Sequence, residues 1–275
     1  MIEQQATIQD RLLASAAKSL LNKEGWSNQE EINTKLCLSS IVNLISSESV
    51  PFFNTILTSS QMTALAEFSV PKTSGLSDEC IALFDELINE STIMEPESIL
   101  ENIYRSQAKY CSKRNSDIFK MLCILQQVIS QFDDWSEQAD EESKTTVFRR
   151  FAILIDILCR HTLTKMKDGE CVAQTTQDEC IALQAIAGFI STSNEKPYGS
   201  KIDLIATTRL DGRSYDLSSN EWKKQNACSS IVLKQQAKNI RTNASILSRL
   251  LRMGCTNSIL AMDWKGWLHS LMTNI

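Results

Sequence analysis

Glycine and proline are scarce in this chain, eight and four of 275 residues, against roughly 7% and 5% in ordinary proteins. The glycines are never closer than eleven positions, which excludes a P-loop and a Gly-rich dinucleotide turn, both of which need clustered glycines. Histidine is nearly absent. His161 and His269 leave little material for His-based metal sites or a Ser-His-Asp triad. The nine cysteines are odd in number, and the closest pair, Cys171 and Cys180, forms no CxxC knuckle; they are expected to be reduced and to pack as small hydrophobes. No apolar run reaches the ~18 residues of a membrane span. The polar start Met1-Ile2-Glu3-Gln4-Gln5 does not resemble a secretory signal, so an intracellular place, nuclear or cytoplasmic, is expected.

With 43% hydrophobic and 22% charged residues the chain has the composition of a globular protein. Its net charge of −5 conceals a division. Residues 196–275 hold twelve Lys and Arg against five Asp and Glu, a net +7, and the first 195 residues carry −12. An acidic body with a basic C-terminal segment suits a polyanionic partner, chance clustering on solvated faces being the alternative.

From residue 7 to about 130 the apolar positions recur at helical spacing. Leu12, Leu13, Ala16, Leu20 and Leu21 make one stripe, Ser27 with Glu30 reads as a capping box, and Pro51 and Pro71 punctuate the next connections. Ser77 is a cap for a helix with Ile81, Phe84, Leu87 and Ile88; further helices are expected over 97–111 and 116–132. The hexapeptide Asp78–Leu83 recurs as Asp178–Leu183, read as two similarly begun helices. The polar stretch 133–144 marks a boundary, giving an all-helical domain over 1–134 and a second domain over 135–275. In the latter, 147–163 is apolar at helical spacing. Runs 201–208 and 215–222 flank Asp211-Gly212 as a β-hairpin, a helix spans 229–252, and strands are expected at 258–264 and 267–273. Ending at Ile275 straight after a strand leaves the completeness of this domain open.

On the second hairpin strand Glu221 and Lys223 are two residues apart and share a face, and Asp203 lies near the start of the partner strand. Two converging carboxylates suit Mg²⁺, a hard ion that prefers oxygen ligands and keeps several waters. Parity sets a condition. A two-residue Asp211-Gly212 loop alone places Asp203 opposite Asn220; facing Glu221 requires a three- or five-residue loop or a β-bulge in one strand. An exposed cross-strand charge cluster is the competing reading of the same residues.

Asp203 followed eighteen residues later by Glu221-Trp222-Lys223, in a hairpin framed by helices, resembles the PD-(D/E)xK nuclease superfamily, the restriction-endonuclease-like fold. The wider strings Lys201-Ile202-Asp203-Leu204 and Asn220-Glu221-Trp222-Lys223 are also similar to uncharacterised fungal proteins. Ile202 stands where the motif's proline would be. The resemblance covers roughly 135–275 and implies an α/β (α+β) fold: a helical N-terminal domain, then a central mixed sheet flanked by helices. It implies one or two Mg²⁺ or Mn²⁺ ions on Asp203 and Glu221, Lys223 attending the attacking water, and Glu142, chosen over Glu137 and Glu141, completing the catalytic set from a preceding helix. Metal-dependent phosphodiester hydrolysis of DNA or RNA follows. The alternatives are a non-catalytic nucleic-acid- or protein-binding module on the same fold, and a helical scaffold with no nucleic-acid role; the helical domain is also a candidate surface for a protein partner.

On the helix after the hairpin, Lys234, Lys238 and Arg241 are spaced four and three apart, on one face, beside Gln235 and Gln236. Lys234, Gln235, Lys238 and Arg241 are the candidate nucleic-acid contacts, because phosphate contacts dominate nucleic-acid affinity; an ordinary solvated face is the alternative. Trp222, Trp264 and Trp267 are expected in the core rather than as base-stacking platforms, and His161 at a helix C-terminus, partnering the dipole.

Overall fold

A computed structural model describes residues 6–22, 24–68, 75–91, 95–131, 143–186, 199, 201–224, 226–255, 258–265 and 268–273. The fold is α+β, with helices and a five-stranded mixed sheet. The helices are α1 Ile8–Leu21, α2 Asn28–Leu38, α3 Val50–Ile56, α4 Ser59–Phe68, α5 Asp78–Ser91, α6 Pro96–Tyr110, α7 Asp117–Ile129, α8 Lys144–Cys159, α9 Gln174–Ile186 and α10 Ser229–Arg252. The strands are β1 Lys165–Val172, β2 Lys201–Leu210, β3 Arg213–Lys223, β4 Leu260–Lys265 and β5 Leu268–Thr273. Among the described residues no helix is long and apolar enough to cross a membrane.

The helix starts follow from local chemistry. Thr7 and Ser27 each accept from the backbone N–H three residues on while that residue's carboxylate takes the cap N–H, so two orphan donors are satisfied at each end. Ser77, Ser116 and Ser143 likewise cap α5, α7 and α8. Pro51 sits in the first turn of α3, where its missing N–H costs nothing. The repeated hexapeptide starts α5 at Asp78, but Asp178 lies one turn inside α9, so the two copies are not similarly begun helices.

The chain divides into two compact units, Met1–Pro71 with Met166–Ile275, and Lys72–Lys165. This division differs from the expected boundary at 134/135. Its cause is α10, whose Leu233, Ala237 and Ile240 are buried together with Leu12, Ala16, Ile32, Leu36, Cys37 and Phe53 of α1–α3. Residues from the chain's two ends therefore share one core. The second unit has its own, built from Cys80, Leu87, Ile99, Ile103, Tyr110, Ile118, Leu122 and Leu125. It also bears a cleft of about 340 Å³ with none of the motif residues in its lining. The nine cysteines are all free, as expected, yet only Cys37 and Cys80 are buried; Cys111, Cys228 and Cys255 are exposed.

In the first unit the sheet order is β1-β2-β3-β4-β5. β2 and β3 form the expected antiparallel hairpin, whereas β3 and β4 run parallel, joined by the α10 crossover; β5 returns antiparallel to β4. β1 escaped the sequence reading. Its KMKDGECV run is mostly polar, as edge strands often are, and lacks the alternation that marks a half-buried strand.

Candidate active site

The hairpin turn decides where the motif residues meet. Asp211 and Gly212 have φ of 49° and 75°, the two positive values of a type I′ turn, and Leu210 pairs with Arg213 across it. Left uninterrupted, this register would set Asp203 opposite Asn220. It shifts by one between Ala206 and Thr207: Thr207 pairs with Asp216 and Ala206 with Ser218, so Leu217 is the extra residue of a β-bulge. Beyond it Leu204 pairs with Asn220, and continuing that register sets Asp203 opposite Glu221. The parity condition is met by the bulge.

Glu221 in turn pairs with Asp263 on the parallel strand β4, so three carboxylates lie on adjacent strands. All three are buried, with 9%, 2% and 6% exposure for Asp203, Glu221 and Asp263. The reading of an exposed charge cluster is thereby excluded. Asp203 Oδ2 accepts the backbone N–H of Trp222 at 2.8 Å. Glu221 Oε1 receives the Lys238 ammonium at 2.5 Å, and that ammonium also donates to the Lys201 carbonyl. Gln235 Nε2 donates to Asp263 Oδ1 at 2.6 Å. Two oxygens of this pair, Asp263 Oδ2 and Gln235 Oε1, are buried without a hydrogen-bond partner.

The electrostatics follow from the burial. Desolvation pushes the Glu221 carboxyl above its ordinary range, the Lys238 bond and charge pull it back, and neighbouring Asp203 raises it further. Asp263 is pushed up to about 7, chiefly by burial; Gln235 opposes this, the charges of Glu221 and Asp203 add to it, and Lys223 draws it down. The charges of Glu221, Lys223 and Asp203 thus all reach Asp263.

A polar stripe on α10 holds this arrangement. Gln235, Asn239 and Asn243 recur every four residues and are all buried. Asn243 Oδ1 accepts from Ser219 N at 2.7 Å and its Nδ2 donates to Ser219 O at 2.9 Å, which reproduces the pairing a neighbouring strand would offer. Asn239 accepts from the Ser219 hydroxyl at 2.7 Å and donates to the Met262 carbonyl at 3.0 Å, tying β3 to β4. Asn220 Oδ1 takes the Met262 N–H. On the other side of α10, Gln236 accepts from Asn43 at 2.9 Å.

The expected nucleic-acid face is thereby divided. Lys234 is exposed and Arg241 is exposed with Nε on Ser39 Oγ at 3.2 Å, but Lys238 and Gln235 turn to the carboxylates. Arg249, also in the basic segment, bonds Asp178. Trp222 is fully buried and stacks on Trp264 at 5.9 Å, a core role as expected; His161 is exposed just beyond α8 with φ 58°. Glu142, Glu137, Glu141 and Trp267 lie outside the described residues, and for His269 only the backbone of β5 is described. The sequence reading missed Asp263 and the Asn239–Asn243 pair. Their signals were present: a lone acid in the apolar run Ile259–Trp264, and amide side chains at spacing four along a helix.

No protein-family model, curated protein or solved structure matches this chain. Among the described residues no group of three or more His, Cys, Asp and Glu side chains is placed to hold a metal ion. The buried acceptors of Asp263 and Gln235 lack donors of the kind that an ordered water supplies.

Proposed function

We propose that the chain hydrolyses phosphodiester bonds in nucleic acid with the aid of a divalent cation, through a PD-(D/E)xK-like site. The observation that supports this reading is the Leu217 bulge, which converts a two-residue turn into the one register that sets Asp203 opposite Glu221. A bulge that re-aims a side chain is a recurrent device next to active sites. Asp203 and Glu221 would hold Mg²⁺ or Mn²⁺, which when bound polarises the phosphoryl group and eases the ionisation of water. Lys223, on the same strand face as Glu221, offsets the negative charge around Asp263 and would steady the attacking water. Lys238 neutralises Glu221, and the exposed Lys234 and Arg241 would offer contacts to the phosphate backbone.

The second reading, a non-catalytic nucleic-acid- or protein-binding module, draws on the Lys238–Glu221 ion pair, which already compensates the most buried carboxylate from within the fold. Titration calorimetry with MnCl₂ separates the two. For the nuclease, the wild type binds Mn²⁺, Asp203→Asn and Glu221→Gln each weaken binding by more than about tenfold, roughly 1.4 kcal/mol, and both lose cleavage of labelled DNA and RNA. An absence of Mn²⁺ heat in the wild type favours the binding module.

A further inference from the structure

Asp263 and Gln235 form a pair with unmet hydrogen-bonding capacity. Their mutual bond uses Gln235 Nε2 and Asp263 Oδ1, leaving Gln235 Oε1 and Asp263 Oδ2 buried with no partner. An unsatisfied buried polar atom costs about 1–3 kcal/mol, and two such atoms on bonded side chains call for a common cause. With Asp263 ionised both are acceptors, so what satisfies them is a hydrogen-bond donor or a cation. A phosphate oxygen is itself an acceptor and does not qualify; water, with two O–H groups, does. Asp263 is also the strand partner of Glu221, and the charges of Glu221, Lys223 and Asp203 all reach it, so this pair belongs to the same site.

We infer that Asp263, oriented by Gln235, positions the water that attacks the phosphodiester. The inference rests on the nuclease reading above. The water donates hydrogen bonds to Asp263 Oδ2 and Gln235 Oε1, which turns a lone pair of its oxygen towards phosphorus. That oxygen forms the new P–O bond, the bond from phosphorus to the leaving sugar oxygen breaks, one proton of the water passes to solvent, and the leaving oxygen takes a proton from solvent. Asp203 and Glu221 keep the role of cation ligands.

Asp263→Asn is the direct test, since the amide keeps the shape and can still accept from Gln235 but replaces one acceptor by a donor. Kinetics on fluorescein-labelled single-stranded and duplex DNA and on RNA, with MnCl₂ calorimetry on the same protein, give the readouts. The expected result is a kcat lowered about 100-fold or more, with KM and Mn²⁺ affinity each within about threefold of wild type. Wild-type kcat in the variant overturns the inference, as does a loss of Mn²⁺ affinity above about tenfold, which would make Asp263 a direct ligand. Should Asp263→Asn fail to fold, Gln235→Met keeps the carboxylate while releasing its orientation, and is expected to lower kcat at constant KM; an unchanged kcat there is equally contrary. A wild type that neither binds Mn²⁺ nor cleaves removes the nuclease reading and this inference with it, whereas an active wild type beside an equally active Asp263→Asn removes the inference alone.

Discussion

Asp263 is a carboxylic acid held in a place that disfavours its charge. Its ordinary value of 3.8 rises to about 7, with burial as the largest cause, so the folded protein binds this proton more tightly than the unfolded chain. Below about pH 4 both states are protonated and there is no penalty; between pH 4 and 7 the unfolded chain ionises first, and stability falls as pH rises until the folded group has ionised as well. At about 1.4 kcal/mol per unit the full penalty is on the order of a few kcal/mol above pH 7. Asp263→Asn removes the titration. Urea unfolding is expected to give equal stability for variant and wild type at pH 4 and a more stable variant at pH 8; parallel pH profiles would mean that the carboxyl ionises as it does in the open chain.

At the scale of elements, the hairpin and α10 share the work of assembling the site. The turn sets one register and Leu217 resets it, while Asn239 and Asn243 of α10 hold the re-registered strand in place. Deleting Leu217 makes the ladder regular from the turn onward. With the extra residue gone, Thr207–Asp216 and Ala206–Ser218 become consecutive pairs, so Asp203 stays opposite Glu221. The expected outcome is Mn²⁺ binding and the helical circular dichroism signal both retained, read by calorimetry and far-ultraviolet spectra. Loss of Mn²⁺ affinity in a folded variant would show that pairing alone does not set the site and that it also needs the local twist of the bulge.

For the whole molecule, the +7 of residues 196–275 overstates the charge available to a partner. Lys238 is bound to Glu221, and Arg249 to Asp178. If nucleic acid binds through α10, Lys234 and Arg241 carry the phosphate contacts. Replacing both with Ala is expected to flatten the slope of log affinity against log salt by roughly 1.4 to 1.8, with Lys238→Ala adding little. Fluorescence anisotropy with a labelled oligonucleotide across a salt series measures this, and an equal contribution from Lys238 would place its ammonium on the phosphate instead. The same scale explains the division of the chain: α10 is buried on both its sheet face and its apolar face, and the apolar face is covered by α1–α3, so the site-bearing unit includes the first 71 residues.

Much of the local structure was determined by the sequence itself. Capping serines, Pro51 in a first turn, the Asp-Gly hairpin and the helix over Ser229–Arg252 are set by neighbouring residues, and the motif pair Asp203 and Glu221-Trp222-Lys223 was legible because strand periodicity fixes which side chains share a face. Parity even stated what the hairpin had to do for the two acids to meet, without saying whether a loop or a bulge would do it. Tertiary structure alone decided the rest. Asp263 joins Glu221 only because β4 pairs parallel to β3 some forty residues later in the chain, and Gln235 turns inward and the half-exposed Lys238 reaches Glu221 because the Asn239–Asn243 stripe seats that side of α10 on the sheet. Such partners are chosen by which surfaces are buried against each other, a property of the folded chain that no spacing within one element encodes.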